Sequence, residues 1–325
     1  MTESQRNETM TQPLSETFER YALGLARREV LPPERHPEMA QSRKARFLRL
    51  LKAHGIKGWP ERGTLYTREL SEGCKPCLEG CASHLSVTTL CNRDCFFCFN
   101  PKPRKDVLSV HGREVKSLEE AILSLKNLGV KSVGIGGGEP LLFPKRVFEI
   151  LAALKKNFGP ELWIDLYTNA DRLSLPILKE LKAAGVSGLR IDLAARAYDA
   201  SPVELAREVF SDVEIEMPAV PEDKKPVRDI MHHLDNLGVK QLILHELFAS
   251  AANIDSLQKR GYQASSSGSP DFRLTWSPVA KSEETVFGHL LYALIHKFKM
   301  SVYYCSCRTQ DWIAENALKN SRMSA

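Results

Sequence analysis

His84-Leu85-Ser86-Val87-Thr88-Thr89-Leu90 runs directly into Cys91-Asn92-Arg93-Asp94-Cys95-Phe96-Phe97-Cys98. Residues 84–90 are a β-rich run that stops where three cysteines at C-x3-C-x2-C spacing begin, so the cysteines occupy the loop after a first strand. From there short β-rich runs alternate with helical patterns, the signature of βα units on a parallel sheet. Strands are expected at 131–135, 162–167, 187–193, 213–217 and 241–247, and helices at 117–128, 144–158, 175–184, 202–210 and 226–237. Ser117 has the place of an N-cap with Glu119 and Glu120 in the first turn, and Gly185 and Gly238 close two later helices. Six repeats fall short of an eight-stranded barrel and predict an α/β fold built as a partial (β/α)6 TIM-like barrel.

Outward from that core, residues 1–15 are rich in Ser, Thr, Gln and Glu, and a disordered tail is expected. Two helices, 16–30 and 39–53, flank the breaker run from Leu31 to Pro37. Beyond the repeats, the Ser/Gly-rich stretch 264–270 reads as a surface loop, followed by a helix at 283–298 and a strand at 301–304 that delivers Cys305 and Cys307. The expected division is 1–82 for the tail, helical extension and cysteine-rich segment, 83–272 for the partial barrel, and 273–325 for a segment completing the fold.

The chain has 325 residues, 43% of them hydrophobic, enough for one large domain with an appendage. Its 45 basic residues exceed its 40 acidic ones by only 5 and form no long block, which argues against nucleic acid as a partner. The polar start and the absence of a long apolar run argue against a signal sequence or a membrane span, so a cytoplasmic protein is expected. Eight cysteines at 74, 77, 81, 91, 95, 98, 305 and 307 are clustered, as metal sites are, where a stapled fold would spread them.

Three thiolates in one loop can hold three irons of a 4Fe-4S cube and leave the fourth open to a small ligand, whereas zinc usually takes a fourth protein ligand and paired C-x2-C spacing. Gly136-Gly137-Gly138-Glu139-Pro140 follows the second strand, where glycines let backbone approach closely and a carboxylate complements a positive amino group. A tight βα turn accounts for the glycines equally well, but a Rossmann fingerprint does not, because Leu141 stands where its third glycine would be. Tyr167-Thr168-Asn169-Ala170 ends the third strand.

Together these motifs resemble the radical S-adenosylmethionine (SAM) superfamily, with Phe97 at the aromatic position before the third cysteine. The resemblance implies a 4Fe-4S cluster on Cys91, Cys95 and Cys98 whose open iron binds SAM. One electron then splits a carbon–sulfur bond of SAM to give methionine and a 5′-deoxyadenosyl radical for hydrogen abstraction. It further implies Phe97 near the adenine, Gly137, Gly138, Glu139 and Pro140 at the SAM ammonium, and Thr168 and Asn169 near the ribose, with Ala170 replacing the family's usual glycine. The segments Cys74-Lys75-Pro76-Cys77-Leu78-Glu79-Gly80, Glu216-Met217-Pro218-Ala219-Val220-Pro221, Leu244-His245-Glu246-Leu247 and Tyr303-Tyr304-Cys305-Ser306 resemble proteins related to pyruvate formate-lyase activating enzyme, over about 74–311. An electron donor such as flavodoxin or ferredoxin is implied, with a small-molecule or peptide substrate. Competing readings are a cobalamin-dependent radical SAM methyltransferase and a non-catalytic metal-binding interaction protein.

Cys74, Cys77 and Cys81, with Cys305 or Cys307, are expected to form a second site holding structural zinc or iron, or an auxiliary cluster. Arg190, Asp192, Glu214, Glu216, His245 and Glu246 alternate with apolar neighbours along the later strands, and some of them are expected to face the barrel lumen.

Overall fold

The computed structural model describes residues 31–266 and 276–323, so the expected tail, the helix over 16–30 and most of the Ser/Gly stretch lie outside the described residues. Seven strands form the parallel centre of one sheet: β3 (Ala82–Thr88), β6 (Ser132–Gly137), β7 (Trp163–Thr168), β8 (Gly188–Ile191), β9 (Val213–Ala219), β10 (Gln241–Glu246) and β13 (Ser301–Cys305). They lie side by side in chain order. Antiparallel strands extend both ends, β2 (Thr64–Tyr66) and β1 (Lys57–Trp59) beside β13, and β4 (Leu108–Val110) and β5 (Arg113–Val115) beside β3. A separate two-stranded antiparallel sheet pairs β11 (Phe248–Ala249) with β12 (Ser277–Pro278). The expected α/β architecture holds, with one parallel strand beyond the six repeats: β13 pairs with β10 from Gln241↔Ser301 to His245↔Cys305.

The helices are α1 (Pro37–Ala53), α2 (Cys74–Leu78), α3 (Leu118–Asn127), α4 (Pro144–Phe158), α5 (Leu175–Ala184), α6 (Ser201–Arg207), α7 (Lys224–Asn236), α8 (Ile254–Lys259), α9 (Ser282–Ile295) and α10 (Cys307–Met323). Strand periodicity sorts the side chains. Val133, Ile135, Leu166, Leu189, Ile191, Ile215, Leu242, Leu244 and Val302 join the core shared with Leu125 of α3, Leu151 of α4, Leu178 of α5, Met231 of α7 and Phe287 of α9. The intervening positions on the opposite, inner face are mostly small or polar, with Ile243 of β10 an apolar exception beside Tyr303. On β6 they are Gly134 and Gly136, where a Cβ would stand 2.6 Å from Tyr167 Cε2 and 2.6 Å from His84 Nε2 respectively, so glycine there makes room for neighbouring strands' rings. Among the described residues no helix is long and apolar enough to cross a membrane.

Ser117 caps α3 as expected: its side chain accepts from Glu120 N at 3.3 Å, while the Glu120 carboxylate accepts from Lys116 N at 2.8 Å. Ser117→Ala should therefore lower stability by about 1 kcal/mol, read as a reduced midpoint in urea, with Ser117→Asp near the parent. An unchanged alanine midpoint would show that the cap is dispensable.

Candidate functional site

Cys91, Cys95 and Cys98 are free, half-exposed thiols in the loop that leaves β3. The base of this loop is closed by Thr89 and Lys105, with Thr89 N donating to Lys105 O at 3.0 Å and Lys105 N donating to Thr89 Oγ1 at 2.5 Å. Within it Cys98 N donates to Cys95 O at 3.1 Å, and Arg93 N to Cys91 Sγ at 3.4 Å. Arg93 clamps the loop to the end of β7 through paired hydrogen bonds to Asp171 at 2.6 and 2.7 Å. Asn92 donates to the same carboxylate at 2.7 Å, and Arg196 pairs with it as well. Burial pushes Cys95 up to about 12, with Asp192 adding to the rise, and raises Cys91. Without an electrophile these thiols therefore stay protonated, and a bound metal would displace the protons.

The glycine loop lies directly behind the cysteines. Gly138 N donates to Thr88 O at 2.7 Å and Glu139 N to Leu90 O at 2.9 Å, joining the ends of β6 and β3. A Cβ on Gly138 would fall 1.9 Å from Leu90 O, and one on Gly137, at φ +129, would fall 2.2 Å from Thr88 O. These two glycines are thus required by the approach of the chain to itself. Glu139 is fully buried, and its carboxylate accepts from Leu141 N at 3.0 Å, Thr168 Oγ1 at 2.9 Å and Asn169 N at 2.8 Å. It fastens the glycine loop to the end of β7, and Pro140, also buried, starts the short turn that follows. Asn169 Nδ2 reaches back to Asn92 Oδ1 at 2.8 Å and to Cys91 Sγ at 3.7 Å. Ala170 adopts a left-handed φ of 66°, so the backbone keeps a glycine-like turn despite its Cβ.

Phe97 packs with Phe96 against the small cluster of Leu31, Leu247, Leu257, Tyr262 and Val279, and Asn253 Nδ2 donates to its carbonyl at 3.0 Å. On the loop's outer side Phe99, 52% exposed, leans on Phe248 and Trp276, which stack at 4.4 Å.

Deeper on the inner face, Arg190 of β8 pairs with Asp165 of β7 at 2.9 Å and with Glu214 and Glu216 of β9 at 3.1 and 2.6 Å. Glu216 also meets His245 Nε2 at 2.8 Å. Burial opposes charge on Glu216, but Arg190 and His245 outweigh it and hold the carboxyl down at about 2. Burial instead pushes Glu214 up. Asp192, pushed up to about 7 by burial, lies within electrostatic reach of Cys95 on one side and of Glu216 and His245 on the other. Of the expected lumen residues, Glu246 is the exception: it faces the helices, accepting from Cys307 N at 3.0 Å.

The remaining cysteines divide. Cys74 and Cys305 belong to one buried cluster with Ile243 and Tyr303, and Cys77 lies within electrostatic reach of Cys305. Cys81 instead contacts Asn320 Nδ2 at 3.3 Å on α10, and Cys307 is turned toward Glu246. Among the described residues no three His, Cys, Asp or Glu side chains stand at the spacing of a single bound metal ion.

A model of the radical SAM superfamily matches residues 85–200, the span from the first strand through the cysteine loop, the glycine loop and β8. Through this region, about a third of its length, the chain is similar to the radical SAM superfamily. It is 31% identical over 259 residues to a Methanocaldococcus jannaschii protein provisionally assigned as a glycyl-radical enzyme activating enzyme, covering 75% of this chain and 65% of that one. It is 35% identical over 113 residues to the GTP 3′,8-cyclase of Heliobacterium modesticaldum, covering 34% of this chain and 32% of that protein. Thus it spans less than two thirds of the length of these curated relatives. Among solved structures, SuiB of Streptococcus suis bound to SAM aligns at TM-score 0.47 and 12% identity, over 68% of this chain and 49% of that one. Radical SAM proteins use a 4Fe-4S cluster and SAM. The donor set fits that pair, since three free thiols share one clamped loop beside a glycine loop.

Asp171, Arg93 and Asp165 were not singled out by sequence reasoning. Asp165 had a visible signal, a carboxylate alternating with Ile164 and Leu166, whereas the Arg93–Asp171 clamp joins residues 78 positions apart.

Proposed function

We propose that Cys91, Cys95 and Cys98 hold a 4Fe-4S cluster with one open iron, and that the chain binds SAM there and abstracts hydrogen from a substrate. The convergence of the cysteine loop, the glycine loop and the Thr168–Asn169 turn on adjoining strand ends, stitched together by the buried Glu139, carries this reading. When bound, the cluster supplies one electron to split a carbon–sulfur bond of SAM, yielding a 5′-deoxyadenosyl radical.

The chain's own part is positional. Phe97 offers a face to the adenine, Gly137 and Gly138 frame the methionine end with the buried Glu139 and Pro140 supporting them from behind, and Thr168 and Asn169 frame the ribose. The Arg93–Asp171 clamp keeps the cysteine loop closed over β7. The relative provisionally assigned as a glycyl-radical enzyme activating enzyme favours a protein substrate. Reductive cleavage calls for a low-potential reductant such as flavodoxin or ferredoxin, and the clustered cysteines suit a reducing compartment, the cytoplasm. The test is formation of 5′-deoxyadenosine by anaerobically reconstituted protein given SAM and a reductant; none above a protein-free control would refute the reading.

Because Glu139 satisfies three donors at once, Glu139→Ala should separate the glycine loop from β7, lower stability by about 1–3 kcal/mol, and weaken SAM binding while iron content stays at the parent level. Equilibrium dialysis with SAM, alongside an iron assay, checks this. Unchanged affinity would remove Glu139 from the support of the SAM site.

A further inference from the structure

We propose that Asp171 is a positioning residue for Cys91: it holds N–H donors on the Cys91 sulfur and thereby raises the reduction potential of the cluster bound there. The inference rests on the reading above, that Cys91, Cys95 and Cys98 carry a 4Fe-4S cluster. The three thiols are not equivalent. Cys91 Sγ accepts from Arg93 N at 3.4 Å and from Asn169 Nδ2 at 3.7 Å, whereas among the described residues no hydrogen bond reaches the sulfur of Cys95 or Cys98. Both donors are placed by Asp171. Its carboxylate accepts from Arg93 Nε and Nη2 at 2.6 and 2.7 Å, from Asn92 Nδ2 at 2.7 Å, and from Arg196 Nη1. Arg93 Nη1 extends the grip to Ala195 O at 2.5 Å. The two residues that follow Cys91 are thus fixed, and the Arg93 amide with them. Asp171 N donates to Asn169 Oδ1 at 3.0 Å, which leaves Asn169 Nδ2 facing Asn92 Oδ1 at 2.8 Å and Cys91 Sγ beyond it.

A hydrogen bond to a ligating sulfur withdraws negative charge from a cluster and favours the state with one more electron. With both such bonds on one ligand of three, Cys91 is the ligand through which the chain adjusts that balance. The Asp171 charge by itself acts the other way, because a carboxylate near the cluster opposes an added electron, and the paired Arg93 and Arg196 offset it. Geometry and charge therefore have opposite signs here. Asparagine separates them. It keeps the shape of the side chain but puts an NH2 where two donors now point, Arg93 Nε and Asn92 Nδ2 at one oxygen or Arg93 Nη2 and Arg196 Nη1 at the other. The clamp opens whichever way the amide is turned.

Two measurements test this. In a redox titration followed by electron paramagnetic resonance, reconstituted Asp171→Asn protein should have a more negative potential than the parent, whereas loss of a negative charge alone would move it the other way. Asp199→Asn is the control for charge: it removes a carboxylate that meets the same Arg196 at 2.8 Å without touching Arg93, and should not lower the potential. If Asp171→Asn holds no cluster, Arg93→Lys takes its place in the titration with the same expected sign, since it keeps the charge and gives up the planar fork. A potential at or above the parent's, or one lowered as much by Asp199→Asn, would overturn the tuning. Hydrogen–deuterium exchange of the iron-free protein reads the clamp without any cluster. Peptides covering 91–98 should exchange several-fold faster in Asp171→Asn, and unchanged exchange would overturn the positioning role. A parent protein that assembles no 4Fe-4S cluster would refute the function proposed above and the tuning with it, while exchange still reports on the clamp.

Discussion

Protein carrying Cys91→Ala, Cys95→Ala and Cys98→Ala together is expected to form 5′-deoxyadenosine from SAM no faster than a protein-free control, while remaining folded. The effect is complete because the three thiols are the loop's only sulfur donors, and a cluster lacking all three protein ligands has no anchor in it. The fold survives because the loop is held by other groups: Thr89 and Lys105 close its base, and Arg93 grips Asp171. Each cysteine is only half-buried, so alanine leaves no large cavity. Circular dichroism together with the activity assay separates the two outcomes. Cleavage at the parent rate in this variant would place the chemistry elsewhere.

The largest expected stability effect lies at Arg190. Its side chain is 6% exposed and faces Asp165, Glu214 and Glu216, which are 5%, 1% and 16% exposed. Arg190→Met preserves much of the apolar stem but leaves three carboxylates without their shared cation, and removing one partner from a buried ionic group costs about 3–5 kcal/mol. Arg190→Lys should recover only part of this, since an ammonium cannot present the planar fork that reaches both strands. Combining Arg190→Met with Asp165→Asn and Glu214→Gln should restore stability relative to Arg190→Met alone, because the uncompensated charge is then gone. Urea denaturation of the series reads the result. A methionine variant as stable as the parent would mean that the ionic group is neutralised by other means.

Much of this was legible in the chain. The alternation of β-rich and helical runs gave the parallel sheet, and C-x3-C-x2-C placed the cysteines after its first strand because loop position follows from where the strand ends. The pairing of the seventh strand is not legible in the chain because β13 is separated from β10 by more than fifty residues, including a small two-stranded sheet and two helices, and strand pairing across such a gap leaves no local signal. Facing was harder than pairing. His245 and Glu246 are adjacent, so only one can enter the inner face, and with both faces of β10 buried nothing in the local pattern chooses between them. Glu139 shows a different limit. A glutamate in a glycine loop reads as a ligand group, yet here it is completely enclosed and occupied by Leu141, Thr168 and Asn169. Likewise Cys74, Cys77 and Cys81, with Cys305 or Cys307, are expected to share one site, whereas Asn320 lies at Cys81 and Glu246 at Cys307.

The central claim is that Cys91, Cys95 and Cys98 hold a cluster with an iron open to SAM. Electron paramagnetic resonance of the anaerobically reconstituted, reduced protein tests it most directly, with and without SAM. The account predicts a 4Fe-4S signal that changes on adding SAM and disappears in the Cys91/Cys95/Cys98 alanine variant. A signal indifferent to SAM, or one that persists in that variant, would contradict it.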